Sequence, residues 1–239
     1  MYYAGLMLNV ILLAGLAGAM IPLGGLIAAN ENIRRDWLRA ELRHSVIAFG
    51  GGALLSAVMF VLIPDGEAAL GSFAVVGWIA TGALVMAFVD ARLARDGSPK
   101  AQLVAMLSDF IPEAIALGAV VASGKSNGLL LALMIGLQNL PEGFNAFREQ
   151  RDAGARKGPI LGSFIGLAIL GPIATALGYL LLASFTQVTG GLMLAASGAI
   201  LYLIFQDIAP QAKLENRHGP ALGAVGGFLL GLMGHLLIG

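Results

Sequence analysis

Long apolar runs constrain the fold of this chain more than any other feature of its sequence. Eight of them reach the 20 or so residues that a helix needs to cross the hydrocarbon core of a bilayer. The approximate limits of these predicted spans are 4–29, 44–64, 68–91, 101–123, 127–147, 158–184, 187–209 and 219–238. Continuous apolar runs exclude an outer-membrane barrel, whose strands alternate in polarity. The sequence therefore predicts an all-α membrane protein built as one eight-span domain, residues 1–239.

The composition indicates that the lipid bilayer is the main partner of the chain. Charged residues account for 12% of the sequence, about half of their share in a soluble domain. The formal net charge is zero, so no nucleic-acid partner is expected. There is no cysteine, which excludes thiolate metal sites and disulfides.

Basic residues predict the orientation of the spans. The links after spans one, three, five and seven hold thirteen of the fourteen Lys and Arg residues, and the opposite links hold only Lys125. Because Lys and Arg accumulate on the cytoplasmic side, the odd-numbered links are expected there and both termini outside. The N-terminal sequence MYYAG lacks the basic region of a signal peptide. We therefore predict a multi-pass protein of the cell (inner) membrane.

Two internal similarities suggest inverted repeats. Gly52–Pro64 in span two resembles Gly198–Pro210 in span seven, with a constant offset in numbering, although chance similarity between apolar segments is the alternative. Asp109–Glu113 and Gln138–Glu142 share the pattern polar-x-x-Pro-Glu, again with one constant offset. In both pairs the predicted spans run in opposite directions, and such repeats place the substrate site of transporters near the midplane.

Glycine ladders predict close helix packing or a homodimer contact. The ladders are Gly158-Gly162-Gly166 in span six and Gly223-Gly227-Gly231 in span eight.

Five polar residues in spans four and five are candidate metal ligands: Asp109, Glu113, Gln138, Asn139 and Glu142. Residues four apart share a helix face, which groups Asp109 with Glu113 and Gln138 with Glu142. The prolines that precede both glutamates free backbone carbonyls, and such broken helices survive in a membrane only when they are buried or line a polar cavity. Their carboxylate and amide oxygens can bind a cation. For Asp109 alone, a protonated and hydrogen-bonded acid is an equal alternative.

These residues resemble the metal site of the Zrt/Irt-like (ZIP) family of divalent metal transporters, and the resemblance extends over essentially the whole chain. The family signature His-Asn-x-Pro-Glu-Gly stands here as Asp109-Phe110-Ile111-Pro112-Glu113-Ala114. The fifth-span signature, His-x-x-Pro followed by an acid, stands as Gln138-Asn139-Leu140-Pro141-Glu142. Asp109 and Gln138 thus occupy the places of the two histidines, and Phe110 replaces the asparagine.

The resemblance implies import of divalent cations by alternating access, with the unit that contains spans four and five moving against spans two, three, seven and eight. The metal ion is then the substrate, and neither a cofactor nor an enzymatic activity is expected. Oxygen ligands favour harder ions such as Mn²⁺ or Mg²⁺, or broad selectivity, over strict zinc transport. The alternative is a non-transporting membrane sensor or structural protein whose metal site has decayed. Asn145 and Asp207 either extend the ion path toward the cytoplasm or are polar residues at headgroup level.

Overall fold

The structure, a computed structural model, describes residues 2–31, 36–93, 99–122, 128–182, 184–212 and 217–238. These residues form ten α-helices and two π-helical turns, without a strand among them. The α-helices are α1 (Tyr2–Asn30), α2 (Asp36–Ala57), α3 (Ile63–Leu70), α4 (Ser72–Leu93), α5 (Pro99–Ala122), α6 (Gly128–Asp152), α7 (Lys157–Leu182), α8 (Thr186–Leu203), α9 (Ala209–Ala212) and α10 (Gly219–Ile238). The π-helical turns, Val58–Leu62 and Ile204–Ile208, join α2 to α3 and α8 to α9.

Six helical segments among the described residues are long and apolar enough to cross a membrane. They are Met7–Asn30, Ala40–Leu70, Ser72–Arg92, Lys157–Leu182, Thr186–Ile208 and Gly219–Leu237. Helix α5 adds a shorter apolar segment, Phe110–Ala122, and α6 carries charged residues in its second half. These features confirm the prediction of an all-α, multi-pass membrane protein.

The long helices pack into two groups. Helices α1, α5, α6 and α7 form the first group, and α2, α4, α8 and α10 form the second, with α3 packed on α8 and α9 packed on α2. The main contact between the groups is that of α2 with α6. There Gly50 of α2 lies directly against Pro141 of α6. A Cβ atom built at position 50 would be only 2.9 Å from the Pro141 Cγ.

Successive contacts give the relative directions of these helices. Gly223 and Gly227 of α10 approach Ser45 and Phe49 of α2 in the same order, so α2 and α10 are parallel. The pairs α4/α8, α1/α6 and α5/α7 are parallel by the same criterion, whereas α2 is antiparallel to both α6 and α8. With α2–α3 and α8–α9 each counted as one rod, consecutive rods alternate in direction along the chain.

The two π-helical turns occupy corresponding places in the similar segments. The two turns, Val58–Leu62 and Ile204–Ile208, are separated by the same number of residues as the similar segments Gly52–Pro64 and Gly198–Pro210. The Ile63 N–H donates to the Val58 carbonyl, and the Ala209 N–H donates to that of Ile204. Each turn is followed closely by a proline, Pro64 or Pro210, whose ring clashes with the carbonyl four residues earlier in a regular helix. The wider turn relieves that clash, so the two segments share local structure as well as sequence.

Helix packing follows the same correspondence. Gly52 of α2 approaches Ala224 of α10, and its equivalent Gly198 of α8 approaches Ile79 of α4. The first group repeats this pattern, since α6 packs on α1 as α5 packs on α7. Each half of the chain therefore makes matching contacts.

The two glycine ladders differ in their surroundings. The ladder of α10 provides the predicted close packing, because Gly223, Gly227 and Gly231 lie against α2. The ladder of α7 has open space beside it, with no neighbour within 4 Å of a Cβ built at Gly158, Gly162 or Gly166. The close packing is thus confirmed for α10, and the homodimer contact stays a prediction.

Ion pairs gather the links after spans one, five and seven at one end of the bundle, which we call the basic end. Its paired residues are Arg148 with Glu31, Arg217 with Glu41 at 3.5 Å, and Arg43 with Glu149 at 3.6 Å. Lys157 also lies there, 3.5 Å from the Asn30 side chain. Three of the four basic links therefore lie together at one end of the described structure.

Candidate functional site

The centre of the candidate site is a contact between α5 and α6. Gln138 Nε2 donates a 2.6 Å hydrogen bond to Glu113 Oε2, and each residue is only 4% exposed. The two helices are antiparallel and joined by a short connection, which brings positions 113 and 138 to the same level. Two of the predicted ligands, one from each similar segment, thus lie side by side.

Glu142 lies one turn farther along α6 on the same face as Gln138, and it is half-buried. Pro141 beside it is buried against Gly50. Asp109 belongs to α5, one turn before Glu113, but its side chain lies outside the described part of the structure. Glu113, Gln138 and Glu142 therefore form the described core of the predicted ligand set.

Asn139 is directed away from this core, toward α1. Its Nδ2 donates a 2.9 Å hydrogen bond to the Ala17 carbonyl, and the residue is fully buried. Its Oδ1 has no hydrogen-bond partner among the residues that the structure describes. Phe110, the equivalent of Asn139 in the other similar segment, is also buried, and its ring rests against Gly18 and Gly171 of α1 and α7. The structure thus does not bring Asn139 together with Glu113, Gln138 and Glu142.

A cavity of about 310 Å³ adjoins the core on the side of the basic end. Helix α6 supplies its polar wall, because Gln138, Glu142, Asn145 and Glu149 follow one another at spacings of four, three and four. Residues at such spacings lie on one helix face. We call these four residues the α6 stripe. Asp207 of the second π-helical turn lines the cavity as well.

Apolar residues and glycines of α2, α5, α8 and the second π-helical turn complete the walls: Ile47, Gly50, Gly51, Leu54, Met106, Leu203 and Ile208, with Pro141 and Ala146 of α6. The last residue of the stripe, Glu149, has a side chain that is 40% exposed. The cavity therefore reaches the surface at the basic end. Side-chain oxygens therefore line the cavity from Gln138 to this surface.

The corresponding half of the molecule is less accessible, as judged from the residues that the structure describes. Each cavity residue has an equivalent under one of the two offsets that relate the similar segments. Six cavity residues are half-buried, and their equivalents are all buried: Glu113, Ala116, Val120, Ala57, Val61 and Leu62. Six more equivalents are buried, like the cavity residues that they match: Leu117, Ile135, Met193, Ala196, Ser197 and Ile200. Of the other two, Pro112 is exposed and Asp109 has no described side chain. The two halves are therefore alike in contacts but unlike in accessibility.

The three histidines lie apart from this core. His44 is hydrogen-bonded to the Ala40 carbonyl at 2.6 Å, His218 is exposed, and His235 stacks on Phe60 with ring centroids 5.1 Å apart. Within the described ranges, no group of three or more His, Cys, Asp or Glu side chains is close enough to hold a metal ion. Any full coordination shell must therefore include amide oxygens, the Asp109 carboxylate or water.

Sequence reasoning missed Glu149 as a residue of the site. It follows the predicted fifth span, where a charged residue is ordinarily solvated. Its position two helical turns after Glu142 was the available signal, and Asn145 was recognised by the same periodicity. No protein-family model matches this sequence, and no curated protein matches it either.

Proposed function

We propose that this chain transports divalent cations across a membrane toward the cytoplasm by alternating access. The observation that carries the proposal is the buried contact of Glu113 with Gln138 at the inner end of a cavity lined by Glu142, Asn145, Glu149 and Asp207. Ionisable residues inside membrane segments are energetically costly, and they mark ion pathways when they face a cavity. The resemblance to the ZIP family motif leads to the same function.

The proposed topology has eight spans, an inverted repeat and both termini outside. The alternating direction of consecutive helical rods supports the inclusion of α5 and α6 as spans four and five. The π-helical turns at equivalent positions support the repeat. The clustering of Arg43, Arg148 and Arg217 at one end supports a cytoplasmic basic end, since Lys and Arg accumulate there. The membrane would be the cell (inner) membrane.

The unequal accessibility of the two halves supports alternating access. A cavity open to the basic end, opposite a more buried equivalent, is what one state of such a transporter requires. If α2 and α6 took up the packing that α8 and α5 have in the structure, and the reverse, the cavity would close and the equivalent half would become exposed. Under this proposal, the group that contains α5 and α6 moves against the group that contains α2 and α8.

The proposed ligands are Glu113, Gln138 and Glu142, with Asp109 as a fourth by its place in the motif. All offer oxygen atoms. Carboxylate and amide oxygens suit Mg²⁺, Mn²⁺ and Ca²⁺, whereas zinc prefers imidazole and thiolate ligands. We therefore expect harder divalent ions such as Mn²⁺ or Fe²⁺ to compete well against zinc, or selectivity to be broad.

Flux measurements in proteoliposomes test this proposal. Uptake of Mn²⁺ would be followed with a fluorescent indicator trapped inside, and the same vesicles would be offered Zn²⁺, Cd²⁺ and Mg²⁺. Glu142→Gln keeps the size of the side chain and removes its charge. Loss of a charged partner costs about 1.5–3 kcal/mol, so uptake at subsaturating Mn²⁺ should fall about tenfold or more.

Asp152→Asn is the matched control, because Asp152 is an exposed carboxylate at the end of the same helix. Its uptake should equal that of the unsubstituted protein. Binding of Mn²⁺ without flux would favour the alternative of a membrane sensor, and neither binding nor flux would favour a structural protein with a decayed site. Strong zinc preference would contradict the proposed selectivity.

A further inference from the structure

Of the three ion pairs described at the basic end, one joins the two helix groups. Arg148–Glu31 connects α6 with the end of α1, within the first group. Arg217–Glu41 connects the start of α10 with α2, within the second group. In contrast, Arg43 belongs to α2 and Glu149 to α6, and their side chains meet at 3.6 Å across the main contact between groups. This pair alone among these three is sensitive to movement of one group against the other.

The position of Glu149 connects this pair with the cavity. Glu149 is the last residue of the α6 stripe and lies at the mouth of the cavity. Arg43 therefore places a positive charge on the carboxylate that a cation leaving along the stripe would meet last. A cation at the mouth and the guanidinium of Arg43 would compete for the same carboxylate.

The equivalent positions in the other half hold uncharged residues. The equivalents of Arg43 and Glu149 are Thr189 and Val120, and both are buried. Helix α2 packs on α6 more extensively than α8 packs on α5. If the α2–α6 contact became as limited as the α8–α5 contact is in the structure, Arg43 and Glu149 would no longer be kept within ion-pair distance.

We propose that Arg43 and Glu149 are positioning residues that hold the two helix groups in the arrangement with the cavity open to the basic end. The proposal rests on the proposed function for its role in transport, because a cation that binds Glu149 on its way out would displace Arg43 and release the groups for the return step. The arrangement itself can be measured without any transported ion.

The size of the effect follows from the exposure of the pair. The side chains of Arg43 and Glu149 are 28% and 40% exposed, and pairs so open to solvent contribute little. Removing the pair should therefore raise the population of the opposite arrangement by about two- to fivefold. The arrangement of the structure would stay dominant, so its own accessibility should change by less than about twofold.

Thiol labelling of single-cysteine variants tests this inference, since the chain has no cysteine of its own. Asn145→Cys reports on the half-buried wall of the cavity, and Ala116→Cys reports on the equivalent, buried position. Both would be made in otherwise unsubstituted protein, in Arg43→Gln and in Arg217→Gln, and reacted in nanodiscs with a water-soluble cationic methanethiosulfonate. Arg217→Gln is the matched control, because it breaks an ion pair within one group.

In Arg43→Gln, the labelling rate at Ala116→Cys should rise about two- to fivefold, while that at Asn145→Cys stays nearly constant. Arg217→Gln should change neither rate. The charge exchange Arg43→Glu with Glu149→Arg should restore the original rates, which a merely structural role of either residue would not produce. Unchanged rates in Arg43→Gln, or an equal rise in Arg217→Gln, would overturn the inference.

The two proposals fail in different ways. If the labelling rates shift as expected but no divalent cation crosses the membrane, the positioning role stands and transport of metal ions is wrong. If Mn²⁺ uptake depends on Glu142 but the labelling rates do not change in Arg43→Gln, transport stands and the positioning role is wrong. The folded state of each variant would be checked by its elution volume and by reagent-accessible thiol at Asn145→Cys.

Discussion

The two glycine ladders offer a sharp test of the helix packing. Their spacings are identical, yet Gly227 of α10 faces α2 and Gly162 of α7 faces open space. A Cβ at position 227 would lie 2.9 Å from the Ala53 nitrogen and closer still to the Phe49 carbonyl oxygen, whereas ordinary contact begins at 3.4 Å. These are backbone atoms of a packed helix, so neither can rotate away.

The expected difference in stability follows from this geometry. Alanine in place of glycine favours a helix by about 0.8–1.0 kcal/mol, and this gain is common to Gly227→Ala and Gly162→Ala. Only Gly227→Ala adds an overpacking cost, which is about 1–3 kcal/mol in well-packed interiors. Gly227→Ala should therefore have a free energy of unfolding about 1–3 kcal/mol below that of Gly162→Ala, and Gly162→Ala should be at least as stable as the unsubstituted protein.

Reversible unfolding with SDS in mixed micelles, followed by tryptophan fluorescence, measures this difference. Trp78 is a suitable reporter because it lies at the α4–α8 contact, beside Gly191. Equal unfolding curves for Gly227→Ala and Gly162→Ala would refute the packing of α10 on α2. A destabilised Gly162→Ala would instead show that the ladder of α7 makes a close contact, as it would in a homodimer.

Two further predictions concern positions 139 and 110, which the repeat places in equivalent locations. Asn139→Leu should leave Mn²⁺ uptake in proteoliposomes within about twofold of the unsubstituted protein, because the Asn139 amide bonds to Ala17 rather than facing Glu142; a loss as large as that of Glu142→Gln would make Asn139 a ligand after all. Phe110→Ala should lower the free energy of unfolding in SDS by on the order of 3 kcal/mol, because it empties the space between Gly18 and Gly171. Its control is Phe73→Ala, at a ring that is 99% exposed, and similar losses in both variants would contradict the buried position of Phe110.

Several local features could be predicted from sequence because they depend only on neighbours along the chain. The 3.6-residue period places Gln138 and Glu142 on one face of α6, and it also extends that face to Asn145. The match between Gly52–Pro64 and Gly198–Pro210 corresponds to two π-helical turns at the same offset, since each segment contains the proline that makes a regular helix unfavourable. Apolar runs of membrane length likewise produced helices.

Contacts between distant segments could not be predicted in this way. Gln138 and Asn139 are neighbours of similar chemistry, yet one bonds to Glu113 and the other to Ala17. Their different roles follow from which helix packs on each side of α6. Glu149 resembled a solvated link residue until the packing of α2 on α6 placed it at a cavity mouth beside Arg43.

The sequence by itself thus determined the class of the protein, the helical segments and the residue types that can bind a cation, because hydrophobicity and helical period are properties of short stretches. The tertiary structure decided which similar elements differ in use: which glycine ladder is packed, which amide faces the carboxylate and which half of the repeat is open. Symmetry in the sequence cannot specify those choices, since both halves carry similar patterns. They depend on how whole helices pack, and the packed arrangement is unequal in its two halves.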